Sequence, residues 1–297
     1  MRALLWFLAA ILGTLVVAAL AAWPVWQLAH ALQPEWPFHK IVSRFWQLLL
    51  LVGLVLAVRR LRLRTRADWG YGLPRARFLR QSGAGLGLGL ATMLPMSFAI
   101  VALGIRTLRP DLDAAHLLEG IATGLVAGLL VAIVEETFFR GLMFRAVSRE
   151  SGIAVAVAST ALLYSAIHFL ARVRISASEV GWDSGLTLLG IAFANFAEPA
   201  AIADSFITLA LVGVLLALVR ARTGAIAFGI GLHMGWVCVI KLTQHATRST
   251  DDGSYGYLVG SLDGYTGWLV AGWALVMILV AGAAGWLRPA PLTPDRE

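Results

Sequence analysis

Cysteine is almost missing from this chain, and charge is scarce. A single cysteine, Cys238, among 297 residues excludes an internal disulfide and any zinc cage or iron–sulfur cluster built from thiolates. Charged residues account for 14 % of the sequence and apolar residues for 59 %, against roughly 25 % and 45–50 % in ordinary globular proteins. With a mean hydropathy of +0.78, a soluble monomer of this size would lack the polar surface to cover itself. There is no HExxH zinc-protease signature and no internal repeat. What is present instead, 30 Gly and 11 Trp in an apolar background, fits helices that approach closely in lipid and aromatic rings that sit at its interface. The composition therefore predicts an all-α, polytopic transmembrane helical bundle.

Runs of about 20 apolar residues match one helical crossing of a ~30 Å hydrocarbon core. They occur at residues 3–23, 41–58, 82–104, 118–139, 152–170, 200–219, 224–243 and 265–287, giving about eight spans. The first is longer than the roughly 7–15 residues of a secretory h-region, so it reads as an uncleaved helix. The net charge of +7 would raise nucleic acid as a partner of a soluble chain, but its placement points elsewhere. Arg59, Arg60, Arg62, Arg64, Arg66, Arg75, Arg77 and Arg80 all fall in one connection between apolar runs, as expected of a cytoplasmic loop beside anionic lipid. With both termini cytoplasmic, 16 of the 24 basic residues lie inside; Arg172, Arg174, Arg106 and Arg109 are among those outside. This orientation suits a multi-pass protein of a bacterial inner membrane, with the bilayer rather than nucleic acid as its partner.

The chain divides into N-terminal helices with the Arg-rich loop (1–117), a central region (118–243), and an outer loop, last helix and polar tail (244–297). Leu186–Phe196 is apolar but short, so it is expected to be interfacial or re-entrant. Asp251, Asp252 and Gly253 lack EF-hand spacing and read as a solvated outer loop, and the tail Pro289–Glu297 reads as disordered. Gly83/Gly87 and Gly85/Gly89 form two small-xxx-small pairs, suited to helix packing rather than to phosphate binding.

A charge at the centre of a membrane helix costs roughly 2.5–3.5 kcal/mol, so the ionisable residues inside the apolar runs carry the functional information. The fourth run ends in Glu135-Glu136-Thr137-Phe138-Phe139-Arg140, the fifth carries Tyr164 and His168, and the seventh carries His233. On an α-helix, Glu136 and Arg140 stand at i and i+4 and can pair, while Glu135 points about 100° away. At about 1.5 Å per residue, Glu135 and His233 reach similar depths and His168 lies more than a turn deeper. A carboxylate and two imidazoles inside a membrane admit three readings. They form a hydrolytic site in which Glu135 activates water, a proton relay of an ion-coupled transporter, or a polar cluster that holds helices together.

At these residues the sequence resembles the CPBP family of intramembrane proteases, which includes the type II CAAX prenyl endopeptidase and bacterial Abi-like proteins. Glu135, Glu136 and Arg140 match the family's Glu-Glu-x-x-x-Arg. Tyr164 and His168 match its aromatic-x-x-x-His, with Tyr in place of the usual Phe. His233 matches its His-x-x-x-Asn, except that Val237 replaces the Asn. The resemblance covers about residues 118–243. It implies an intramembrane endopeptidase acting on a membrane-embedded or lipid-anchored protein or peptide, with Glu135 as the base and His168 and His233 as its partners. Glu136, Arg140 and Tyr164 are then supporting residues. The family resemblance leaves open whether Glu135, His168 and His233 bind Zn2+ or work without a metal. The departure at Val237 keeps a non-catalytic, immunity-type membrane protein in view beside the transporter.

Overall fold

The computed structural model describes residues 1–33, 35–170, 175–250, 255–260 and 262–287. Arg172, Arg174, the Asp251–Asp252–Gly253 cluster, Arg288, Arg296 and the tail Pro289–Glu297 lie outside the described residues. In chain order the helices are α1 (Arg2–Leu20), α2 (Ala22–Leu32), α3 (Phe38–Arg60), α4 (Arg75–Ala102), α5 (Ala114–Glu135), α6 (Phe144–Ser151), α7 (Ile153–His168), α8 (Ser184–Ala192), α9 (Pro199–Thr223), α10 (Ala227–Ala246) and α11 (Trp268–Ala283). A π-helical segment, Glu136–Met143, joins α5 to α6. A short antiparallel ribbon, β1 (Arg106–Leu108) with β2 (Thr247–Ser249), pairs Thr107 with Arg248. It is a small departure from the all-α class and left no alternation strong enough to read in the sequence.

All eight apolar runs are helical. Among the described residues, five helical stretches are long and apolar enough to cross a membrane: Arg2–Leu20, Phe38–Arg60, Arg75–Ala102, Ala114–Ser151 and Pro199–Thr223. The shorter α7 and α11 are apolar as well, and α10, which carries His233, Lys241, Gln244 and His245, is not among these five.

The chain forms two compact units. The first comprises Met1–Arg64 and Ala166–Ile202. Its core is Ala22, Trp26, Phe38, Ile41 and Val42, with Leu188 of α8 packed alongside. The apolar stretch after Trp182 thus folds as the short helix α8, and a side chain at Gly185 would collide with the Ala19 carbonyl of α1. The Trp46 indole of α3 donates to Thr14 Oγ1 of α1 at 3.2 Å.

The second unit, Thr65–Ser165 with Ala203–Glu297, is organised around α10. Glycine explains how. A side chain at Gly85 or Gly89 of α4 would collide with the carbonyls of Phe228 or Leu232. From the other side, a Cβ at Gly124 would lie 2.9 Å from the Cys238 carbonyl oxygen, and one at Gly128 2.7 Å from that of Met234. The pair Gly83/Gly87, by contrast, faces open space, so only one of the two expected glycine pairs serves packing. The opposite face of α5 is apolar and exposed at Leu118, Val126, Leu130 and Val134, spaced by four or eight residues as a lipid-facing stripe requires. Asp113 caps this helix by accepting from the His116 amide at 2.8 Å. Because α4 and α5 shield α10, more than half of its residues are buried. A helix so enclosed need not satisfy lipid, and it can carry His233.

Candidate active site

The regular helix α5 gives way at Glu136 to a π-helix that continues to Met143. Such i→i+5 turns are uncommon and recur at functional sites. This one is held from several directions. Arg140 is fully buried and donates from Nη1 to Glu136 Oε1 at 3.1 Å and from Nη2 to the Gly213 carbonyl at 3.3 Å. Its own carbonyl accepts from Arg220 Nε at 2.9 Å. Arg220 is buried as well, and its guanidinium lies over the Phe144 ring. The backbone oxygen it satisfies cannot be read from sequence.

Glu136 and Arg140 therefore pair as expected, though on a widened helix rather than on an α-helix. Glu136 also has a second partner that the sequence did not show. His233 Nδ1 lies 3.0 Å from the same Oε1, so the imidazole is fixed by a carboxylate through one ring nitrogen. On the other edge of the ring, Nε2 lies 3.8 Å from Glu135 Oε2, beyond direct hydrogen-bond range. With Glu136 engaging Nδ1, the Nε2 edge of the ring faces the Glu135 side. A Cβ at Gly229, one helical turn before His233, would lie 3.0 Å from Glu136 Oε2, so this glycine makes room for the carboxylate.

Tyr164, 3 % exposed, packs into the same cluster. Its ring meets Phe139 edge-on at 5.3 Å and His233 edge-on at 6.4 Å, and the Arg140 guanidinium lies over it at 4.6 Å. The structure thus brings together Glu135, Glu136, Arg140, Tyr164 and His233. His168 is half-buried and closes α7, four residues after Tyr164, where the chain passes into the first unit. Val237 stands one turn beyond His233 and offers no polar group. Cys238 is buried, and its sulfur faces Gly124 of α5, as an inert packing thiol does.

A zinc site needs three protein ligands with an open fourth position for catalysis, or four when structural. Among the described residues no group of three or more His, Cys, Asp or Glu side chains is arranged to hold a metal ion. Glu135 and His233 supply two donors, and Glu136 is committed to Arg140 and His233. Within this unit these side chains therefore offer fewer donors than a zinc centre needs.

Part of the Arg-rich connection belongs to the same unit and braces the π-helix. The Trp69 carbonyl packs on Gly141, where a Cβ would lie only 2.5 Å away. The Tyr71 hydroxyl is 2.7 Å from Thr137 Oγ1, and the Ile226 amide donates to the Gly70 carbonyl at 3.1 Å. Asp68, the one acid of this stretch, is buried and lies 2.8 Å from Arg149 and 3.5 Å from Arg145. Burial works to raise its carboxyl, but the Thr65 amide and hydroxyl and the Arg149 and Arg145 guanidinium groups outweigh burial and hold it below its ordinary value. The sequence places this segment beside anionic lipid, whereas residues 68–71 pack against the protein. A lone Asp inside a basic run, and a Gly directly after Arg140, were the signals available for its folded part.

Five membrane-length apolar helices, with two carboxylates, a buried arginine and a histidine converging where α5 loosens, define a multi-pass membrane protein with an intramembrane acid–imidazole centre. Residues 117–239, which contain this whole centre, match the model of the family described as type II CAAX prenyl endopeptidase Rce1-like. No curated protein and no solved structure matches the chain.

Proposed function

We propose that the protein is a CAAX-type intramembrane endopeptidase that hydrolyses a peptide bond in the C-terminal tail of a lipid-anchored protein, with Glu135 as the base. The observation that carries this reading is the division of labour between adjacent carboxylates. Glu136 is consumed by Arg140 and His233, while Glu135 is partly exposed and faces the free edge of the same imidazole. A base must reach water, and the exposure of Glu135 provides this. It takes a proton from water as oxygen attacks the scissile carbonyl, and returns that proton to the departing amide nitrogen. In its imidazolium form His233 donates from Nε2 to the developing oxyanion, while Nδ1–H stays on Glu136. Arg140 and Arg220 hold the π-helix that carries Glu136 and begins directly after Glu135. His168 enters this mechanism through the sequence resemblance alone.

The test is cleavage of an internally quenched peptide ending in a farnesylated Cys-aliphatic-aliphatic-X by the full chain in proteoliposomes. The wild type is expected to cleave it, and Glu135→Gln to lose about 10²–10⁴-fold in rate, the usual contribution of a positioned base. A folded Glu135→Gln protein that cleaves at the wild-type rate refutes the reading.

A further inference from the structure

The geometry points to Gly70–Tyr71 as a staple that sets the spacing between Glu135 and His233, with Tyr71 as a positioning residue through its hydroxyl. This rests on Glu135 being the base. The two side chains lie 3.8 Å apart on different helices, so their spacing depends on how the end of α5 is held against α10. The bond between Glu136 and His233 is one point of attachment, and a single point is a pivot. Gly70 and Tyr71 supply a second.

Each of the two residues holds one helix. The Gly70 carbonyl accepts at 3.1 Å from the amide of Ile226, the residue that caps α10 about two turns before His233. Gly70 has a φ of +85°, and a Cβ there would lie 2.6 Å from Ile226 Cγ2, so glycine is what lets this carbonyl reach the helix end. The next residue turns to the other helix, where the Tyr71 hydroxyl lies 2.7 Å from Thr137 Oγ1. The single hydrogen of the Thr137 hydroxyl goes to the Ile133 carbonyl, so the tyrosine donates and the threonine accepts. Ile133 and Thr137 bracket Glu135, and their bond closes the turn at which α5 gives way to the π-helix. A threonine bonded back in this way bends a helix, and here the bend is anchored from outside. The Tyr71 ring is fixed in turn. It stacks on Phe78 at 5.5 Å and 17° and packs on the core that Ala132 of α5 shares with Ile226 and with Ile230 of α10. A phenylalanine at this position would keep the ring contacts and lose the anchor alone, which makes the hydroxyl separable by substitution.

The experiment measures cleavage of the farnesylated quenched peptide in proteoliposomes, thermal unfolding and backbone hydrogen exchange. Tyr71→Phe is expected to lower kcat about fivefold, the rate equivalent of one neutral hydrogen bond, with KM within about twofold of wild type, as loss of an interaction used in the chemical step requires. Backbone exchange over residues 133–143 should quicken in the same variant. Thr137→Val should slow cleavage at least as much, and Thr137→Ser, which keeps the acceptor, should restore most of that loss. The double variant Tyr71→Phe/Thr137→Val should be no slower than Thr137→Val alone, because Tyr71 acts through Thr137. Ser97→Ala separates positioning from general weakening. It removes a hydroxyl that bonds Thr243 and Tyr265 at 2.7 and 2.9 Å elsewhere in the same unit, and should lower the unfolding midpoint at least as much as Tyr71→Phe while leaving kcat unchanged. The inference is overturned by an unchanged kcat in Tyr71→Phe, by a change confined to KM, by a double variant as slow as the product of the two single losses, or by an equal fall of kcat in Ser97→Ala. Full activity in Glu135→Gln, or a wild type that leaves the peptide intact while Tyr71→Phe still exchanges faster, overturns instead the reading of the base, so the two failures are told apart.

Discussion

Arg140 is the side chain whose removal should be felt most. It is fully buried and answers Glu136 at 3.1 Å and the Gly213 carbonyl at 3.3 Å, while its guanidinium plane lies against Tyr164 and Phe139 at 4.6 and 5.6 Å. Arg140→Met keeps much of the volume and deletes the charge, leaving Glu136 buried with only His233 beside it. Breaking one side of a buried pair costs about 3–5 kcal/mol. Arg140→Lys retains a charge but cannot reach Glu136 and Gly213 together or stack as a plane, so its cost should be smaller, about 1.5–3 kcal/mol. Thermal unfolding in detergent micelles should rank the proteins wild type, Lys variant, Met variant. The double variant Glu136→Gln/Arg140→Met should be at least about 1 kcal/mol more stable than the sum of the single changes, because neither partner is then stranded. Peptide cleavage should fall in the same order, since Glu136 also holds His233. A Met variant with wild-type stability, or strict additivity in the double variant, would refute the assignment of Arg140 as the counter-charge of the centre.

Gly141→Ala should destabilise the protein by about 1–3 kcal/mol through overpacking, because the new methyl meets the Trp69 backbone at 2.5 Å, whereas Gly87→Ala, which faces open space, should be neutral or slightly stabilising; thermal unfolding of the pair decides. Asp68→Asn should lose about 2 kcal/mol at neutral pH, measured as a lower unfolding midpoint. Since the Asp68 carboxyl is held below its ordinary 3.8 in the folded protein, its contribution is complete above that value and is lost as pH falls through the lowered one. The gap between wild type and Asp68→Asn should therefore persist at pH 5 and shrink below about pH 3.8; a gap unchanged at still lower pH contradicts the ion-pair account.

The class of the protein was legible because membrane composition is coarse and decisive: eight apolar runs became helices. The pairing of Glu136 with Arg140 was legible because it is local. The second role of Glu136, holding His233, depends on a contact across 97 residues of sequence, and no spacing rule reaches that far. The π-helix was hidden for a different reason. Its residues, Glu136–Met143, have no composition that separates them from an α-helix, and it is sustained by tertiary partners, Arg220 on the Arg140 carbonyl and Trp69 on Gly141. Neither Arg220 nor Asp68 announces its partner in the sequence, because each is satisfied by a group that only the fold brings near: the Arg140 carbonyl for Arg220, and Arg149 and Arg145 for Asp68. The four glycines of α4 looked equivalent in sequence, and only the position of α10 separates Gly85 and Gly89 from Gly83 and Gly87.

The enclosure of α10 bears on how the protein is made. A segment enters the bilayer on its own account only if its side chains prefer lipid to water, and α10, with His233, Lys241, Gln244 and His245, is poorly suited to that. Its place exists only once α4 and α5 are there to meet its backbone at bare glycine surfaces. Both are synthesised earlier, so they stand ready as a receptacle when α10 leaves the ribosome. Substitutions at Gly85, Gly89, Gly124 or Gly128 should accordingly appear first as failed topology in the cell, with α10 left outside the membrane and the chain degraded, before any purified protein exists to be weakened.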